Sequence, residues 1–225
     1  TAASFLLCAL VLVRDGQLVL GRAPDNWAED LSLAIAIAGM SGIGALSLAL
    51  NHWRLAQAHR RDAMTDSLTG LLNRRALFER HEHAEFGPFH AVVVFDLDRF
   101  KTINDQHGHA AGDAVLEVFA RKVAAALRPG DSAARLGGEE FAIVMQRTLP
   151  ERAAHLAEHI RATFAATPVE TPSGPLLCTV SAGIAFGSAE KTSFARLLSL
   201  ADRALYAAKD AGRNRVVADE FKIAG

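Results

Sequence analysis

Residues 91–95 (Ala91-Val92-Val93-Val94-Phe95) form an unbroken, β-branched apolar run that stops at Asp96. A run of that kind reads as a strand buried on both faces. Two more stretches that read as strands, 133–136 and 141–145, flank Gly137-Gly138-Glu139-Glu140. They predict a hairpin whose turn is the Gly-Gly pair, because glycine accepts positive φ. Helices are expected after Asn73, beyond residue 96 with a main run over 113–127, over 150–166 and over 194–211. Pro150 suits the first turn of the third of these, and Gly212 suits the end of the fourth. A strand near 177–186 precedes the last helix, and Val216-Val217 forms a last short strand. Helices mixed with a strand hairpin predict an α/β fold, an α+β sandwich with a mixed central sheet flanked by helices.

The N-terminal quarter follows a different pattern. Residues 31–50 (LSLAIAIAGMSGIGALSLAL) carry no charge, and about 20 apolar residues are what a bilayer crossing needs. A buried core helix would read similarly, but nothing nearby could wrap it, so a transmembrane helix is expected. Residues 2–13 are apolar but too short to span, and no basic segment precedes them as in a signal peptide. The chain opens on Thr1 rather than Met, from which a longer parent protein is expected. Arg54, Arg60 and Arg61 follow the apolar stretch, which places the C-terminal side in the cytoplasm. The expected organisation is a membrane region over 1–50, a helical linker over 51–65 and a separate α/β domain over 66–225.

Charge is balanced, 24 Lys+Arg against 25 Asp+Glu, so no nucleic-acid partner is implied. Cys8 and Cys178 are the only cysteines and provide neither a disulfide framework nor a metal knuckle.

Chemistry concentrates around the hairpin. A carboxylate pair at a glycine turn is by itself a solvated loop. Asp96 changes that, because a carboxylate ending a buried strand needs a partner. Asp96, Glu139 and Glu140 make a hard-oxygen set suited to Mg²⁺, which shares its shell with water and phosphates. Lys101 adds a cation five residues beyond Asp96, and such a set suits transfer chemistry on a nucleoside triphosphate. Asp98, two residues from Asp96, is expected to cap the helix that follows. His81-Glu82-His83 lacks zinc-protease spacing and reads as a solvated helix face.

Several separated motifs occur together: Asp66-Ser67-Leu68-Thr69-Gly70-Leu71-Leu72-Asn73-Arg74-Arg75, Asp96-Leu97-Asp98-Arg99-Phe100-Lys101-Thr102-Ile103-Asn104-Asp105, Gly108-His109-Ala110-Ala111-Gly112-Asp113, Gly137-Gly138-Glu139-Glu140-Phe141 and Tyr206-Ala207-Ala208-Lys209-Asp210-Ala211-Gly212-Arg213-Asn214. In content and order they resemble the GGDEF family, the diguanylate cyclases, over roughly residues 62–225. The resemblance implies a palm-like nucleotidyl-cyclase domain that works as a homodimer, joining two GTP into cyclic di-GMP and releasing two pyrophosphates. It implies Mg²⁺, or Mn²⁺, held by Asp96, the Leu97 carbonyl, Glu139 and Glu140. Glu139 would be the base and Lys101 the stabiliser of phosphate charge. Asn104 and Asp113 would read guanine, with His109 beside the nucleotide. Lys209 and Arg213, four apart and hence on one helix face, would contact the triphosphate. Arg128 and Asp131 match the family's RxxD product-inhibition site in residues and in their offset from Gly137.

The whole therefore resembles a cyclase tethered to the inner membrane with its catalytic domain cytoplasmic. A catalytically inactive module that only senses cyclic di-GMP is the alternative; retention of Asp96, Lys101, Glu139 and Glu140 disfavours it. A purine-relaxed relative making mixed cyclic dinucleotides is disfavoured by Asp113.

Overall fold

The computed structural model describes residues 64–219 together with 34–35, 38–40, 42–43 and 45–53, the latter groups all helical. Among the described residues no helix is long and apolar enough to cross a membrane. The transmembrane stretch expected over 31–50 falls partly outside them, as do most of the linker and the apolar run 2–13. Contacts gather Arg61–Gly225 into one compact unit.

In chain order that unit contains β1 (Leu72–Asn73), α1 (Arg74–His81), β2 (Glu85–Phe86), β3 (His90–Leu97), α2 (Phe100–His107) and α3 (His109–Ala126). Then come β4 (Ser132–Gly137), β5 (Glu140–Gln146), α4 (Pro150–Ala165), β6 (Val180–Phe186), β7 (Thr192–Ser193), α5 (Phe194–Asp210) and β8 (Val216–Ala218). Six strands form a sheet in the order β1-β4-β5-β3-β6-β8, and β2 pairs with β7 apart from it. The sheet is mixed: β1 and β8 run parallel to their neighbours, while β4, β5, β3 and β6 are antiparallel. The apolar run 91–95 thus lies in the middle strand, flanked by β5 and β6.

Alternation along β3 divides two cores. Val93, Phe95 and Leu97 face the α2, α3 and α4 layer, centred on Phe119. Its ring lies 4.8 Å from that of Phe141 and 5.0 Å from that of Phe164, both edge-on, the arrangement aromatic quadrupoles favour. Val92 and Val94 face α1 and α5. By the same alternation Asp96 belongs to the α5 side.

Helix α5 lies unusually close to the sheet. A Cβ on Gly183 of β6 would come within 2.1 Å of the Ala201 carbonyl oxygen and 2.2 Å of the Leu205 amide nitrogen. Glycine there lets backbone meet backbone. At its far end α5 closes with two bonds, Arg213 N–H to Ala208 carbonyl and Gly212 N–H to Lys209 carbonyl. With Gly212 at φ 112°, this is a Schellman ending.

The hairpin turn differs by one residue from the sequence expectation. Gly137 pairs with Glu140, so the turn residues are Gly138 and Glu139. The register slips between Arg135 and Gly137, a bulge that uses up Leu136 and moves the turn along. Glu139 therefore stands in the turn and Glu140 opens β5.

Candidate active site

Asp96 is the last but one residue of β3 and directly faces Glu140 across the β3–β5 pair. Leu97 N–H donates to the Glu139 carbonyl at 3.2 Å, which ties the strand end to the turn. Glu139, half-buried, and Glu140, exposed, stand beside the nearly buried Asp96. The Lys209 ammonium lies 2.7 Å from Asp96 Oδ2. Burial pushes the Asp96 carboxyl above its ordinary range; Lys209 opposes this, and the Glu140 and Asp98 carboxylates add to it. Glu139 is raised too, by burial first and then by the Asp96 charge. Crowded, half-desolvated carboxylates of this kind hold protons more readily than in water.

The hairpin tip is braced from outside. Arg135 donates through Nε and Nη2 to the Gly138 carbonyl at 3.0 and 2.7 Å, and through Nη1 to both Asp66 oxygens at 3.3 Å. Asp66 also accepts from the Thr69 amide at 2.9 Å and the Thr69 hydroxyl at 2.7 Å. Burial alone would raise its proton affinity, but the Thr69 bonds and Arg135 together bring it below the ordinary range.

A second group of residues gathers where α2 meets α3 at Gly108, whose φ is 82°. The Asn104 carboxamide packs against Gly112, where a Cβ would fall 1.9 Å from Asn104 Oδ1. That oxygen is buried with no hydrogen-bond partner, a costly state for an acceptor. Asp113 follows Gly112 and is exposed, as is His109 in the first turn of α3. Lys101 is exposed in the first turn of α2; the cation on Asp96 is Lys209 instead.

Residues 63–215 match the family model described as diguanylate cyclase, GGDEF domain. The chain belongs to the GGDEF family. It is 44% identical over 163 residues to diguanylate cyclase DgcP of Pseudomonas aeruginosa, covering 70% of this chain and 24% of that protein. The solved coiled coil and GGDEF domain of DgcB from Caulobacter crescentus, in complex with c-di-GMP, is 31% identical with a TM-score of 0.71. The alignment covers 81% of this chain and 99% of that one. The active GGEEF domain of a diguanylate cyclase from Vibrio cholerae is 34% identical with a TM-score of 0.55, covering 66% of this chain and 91% of that one. The chain spans between 24% and 58% of the length of the curated relatives it matches.

Within this GGDEF domain several sequence expectations need correction. Asp98 does not cap α2: the N-cap is Arg99, at φ 57° and without a side-chain cap bond. Asp98 is buried and accepts from Thr179 Oγ1 and Ser181 Oγ, each at 2.7 Å, and from the Asn214 amide at 3.0 Å. Arg213 does not share a helix face with Lys209, because α5 ends at Asp210 and Arg213 lies beyond it at φ 66°. His81 is not solvated; it is 2% exposed, packed against the Phe86 and Phe194 rings, with Nε2 3.4 Å from Ser132 Oγ.

Arg128 and Asp131 sit at the opposite end of the β4–β5 pair from Glu140. Arg128 Nη2 donates to the Gln146 and Arg147 carbonyls at 2.6 and 2.7 Å, while Asp131 accepts the Gln146 amide at 3.3 Å. Glu140 and Gln146 are the two ends of β5, six residue steps apart, roughly 20 Å at strand rise. The pair therefore clamps the far end of the hairpin, remote from the carboxylates.

Sequence reasoning gave no role to Asp66, Arg135 or Asp202. Asp202 on α5 is raised by lost hydration and by Glu140, with Arg74 opposing, so the acidic field extends onto that helix. The donor chemistry fits a divalent cation: Asp96 already holds a cationic group, and its neighbours repel one another. Among the described residues no three His, Cys, Asp or Glu side chains converge on one point. A metal would thus need Leu97 carbonyl, water or phosphate oxygens besides Asp96, Glu139 and Glu140, as Mg²⁺ ordinarily does.

Proposed function

We propose that the protein condenses two GTP into cyclic di-GMP and two pyrophosphates. The observation that carries this reading is Asp96 opposite Glu140 at the end of the sheet, with Glu139 in the adjoining turn and Lys209 seated on Asp96. Family membership and the named relatives support it.

In each half-reaction the 3′-oxygen of one GTP bonds to the α-phosphorus of the other, and the bond from that phosphorus to the pyrophosphate oxygen breaks. Glu139 takes the proton of the attacking hydroxyl, a role for which its raised proton affinity suits it. Asp96, Glu139, Glu140 and the Leu97 carbonyl would hold Mg²⁺ or Mn²⁺, which supplies charge stabilisation at the phosphate oxygens. Lys209, released from Asp96, and Lys101 and Arg213 bind the triphosphate. Asn104 Oδ1, an acceptor without an internal donor, takes a guanine N–H, and Asp113 takes another. His109 borders the base. Each domain binds one GTP, so two copies must face each other.

Cyclic di-GMP bound at Arg128 and Asp131 is assigned the inhibitory role. Engagement there would compete with the two carbonyl bonds of Arg128. The apolar stretch 31–50, with Arg54, Arg60 and Arg61 after it, is assigned to the inner membrane with the catalytic domain cytoplasmic.

Incubating the full chain with GTP and Mg²⁺ and separating the nucleotides by chromatography tests the reaction. Cyclic di-GMP and pyrophosphate in a 1:2 ratio (about that, within assay error) are expected. Binding of cyclic di-GMP without turnover would replace the enzyme by a sensing module. Extraction of the chain from membranes by alkaline carbonate would refute the anchor.

A further inference from the structure

Beyond α5, after Ala211 and Gly212, the backbone enters a left-handed pair, Arg213 at φ 66° and Asn214 at φ 46°. Side chains with a Cβ avoid this region, and a long one such as arginine is seldom found there. Consecutive residues of this kind persist only where the surroundings hold them, which is common at functional positions.

Here they are held from two sides. Asp98, buried behind the end of β3, accepts the Asn214 amide at 3.0 Å. The same carboxylate is fixed by Thr179 and Ser181, and its own amide donates to the Thr179 carbonyl at 2.9 Å. From α4, Arg161 Nη1 donates to Asn214 Oδ1 at 2.6 Å, and its remaining donors are oriented by Glu158 at 2.6 and 2.8 Å. The turn is therefore tied to the middle strand through one atom of Asn214 and to the opposite helix layer through another. Asp98, although Asp96 feels its charge, uses both carboxylate oxygens in these bonds, and Arg161 lies on α4, away from the carboxylate cluster.

We propose that Asp98 and Arg161 are positioning residues that hold Arg213 in its left-handed conformation and so aim it at the triphosphate. This rests on the GTP reading above. The Schellman bonds stop the helix at Asp210, and the Asp98–Asn214–Arg161 chain determines where the next cation after Lys209 goes. Lys209 is placed by the helix; Arg213 is placed by a tether spanning 116 residues of sequence to Asp98 and 53 to Arg161.

The test uses the full chain and two ligands, a GTP analogue with a methylene bridge between its α and β phosphorus atoms, and GMP. In Asp98→Asn the Asn214 N–H and the Thr179 hydroxyl keep only a neutral acceptor, and Ser181 must turn to accept from the new NH2 group. Its affinity for the analogue should fall roughly tenfold, the size of one lost charge-assisted contact, with GMP affinity within twofold of wild type. Arg161→Ala, on the helix surface, should move the same way by a smaller factor and carries the test if Asp98→Asn does not fold. In turnover both should raise KM for GTP while kcat stays nearly constant. Arg213→Ala separates the two readings. If it weakens the analogue but Asp98→Asn and Arg161→Ala do not, the tether is overturned and the GTP site stands. If Arg213→Ala itself leaves analogue affinity unchanged, the triphosphate assignment falls and the tether with it. Equal losses for analogue and GMP would show a general loss of structure and overturn the positioning role.

Discussion

Lys209 and Asp96 form an ion pair, 2.7 Å between Nζ and Oδ2, across the boundary between α5 and the middle strand. Even with that partner the Asp96 carboxyl lies above its ordinary proton affinity. A carboxylate whose folded pKa is raised stabilises the fold below its unfolded pKa, and the contribution is lost as pH rises through the raised value. Ionised Asp96 is thus a burden that function retains.

Asp96→Asn should therefore melt higher than wild type at pH 7 to 8, with the difference vanishing on acidification through the aspartate range. In a domain of this size each kcal/mol shifts the midpoint by about 2–4 °C, readable by calorimetry. Adding Mg²⁺ should raise the wild-type midpoint and leave that of Asp96→Asn unmoved. A lower midpoint for the variant at pH 8 would contradict the electrostatic account.

Glu139→Gln should form cyclic di-GMP at least on the order of a hundredfold more slowly, since it removes the proposed metal ligand and the proposed proton acceptor together. Its far-ultraviolet circular dichroism should match wild type. Near-normal turnover with excess Mg²⁺ would remove Glu139 from the site.

Arg135→Ala should lower kcat about ten- to a hundredfold, because misplacement of reacting groups by an ångström has effects of that size. Among the described residues the Arg135 guanidinium donates to Asp66 and to the Gly138 carbonyl, a brace behind the site, so KM for GTP should change little. Asp66→Asn should reproduce the effect in part. Unchanged kcat in both variants would mean the tip holds its shape without them.

Much of this site was legible in the sequence because it depends on local signals. The apolar run ending at Asp96 and the glycines beside Glu139 announce themselves within a dozen residues. The turn was placed one residue early because a bulge leaves no compositional mark. The Arg135–Asp66 brace joins residues 69 apart, and the Asp98–Asn214 bond joins residues 116 apart, separations over which periodicity says nothing. Capping is the usual work of an aspartate before a helix, and the sequence alone carries no mark of the distant partners that Asp98 has instead. The burial of His81 had a readable signal: it lies four residues after the buried Leu77, on the same face of α1.

Buried among rings, His81 is shifted below the ordinary histidine value, by burial first and then by Arg80 and His90. The neutral ring is favoured in the folded state, so its contribution is present above the ordinary histidine pKa and lost as pH falls through the folded value. Wild type should lose stability between about pH 7 and 5 more steeply than His81→Leu, near the usual histidine titration. Parallel midpoint-against-pH curves for the two proteins would dismiss the effect.

Arg128→Ala should relieve inhibition by added cyclic di-GMP while leaving the initial rate within about twofold, since the clamp is roughly 20 Å of strand from Glu140. It should also lower the melting midpoint, because the Gln146 and Arg147 carbonyls lose their donor. Equal sensitivity to product in both proteins would leave the clamp a purely structural device.

The backbone contact at Gly183 restricts how such a molecule can be switched. With Ala201 and Leu205 resting directly on strand β6, α5 has no compressible side chains beneath it at that point along which to slide. Lys209 and the strand carrying Asp96 consequently move as one rigid part, in the way two gears cut from a single shaft cannot change their phase. For the proposed cyclase, control would then fall to what brings two such parts together and at what angle.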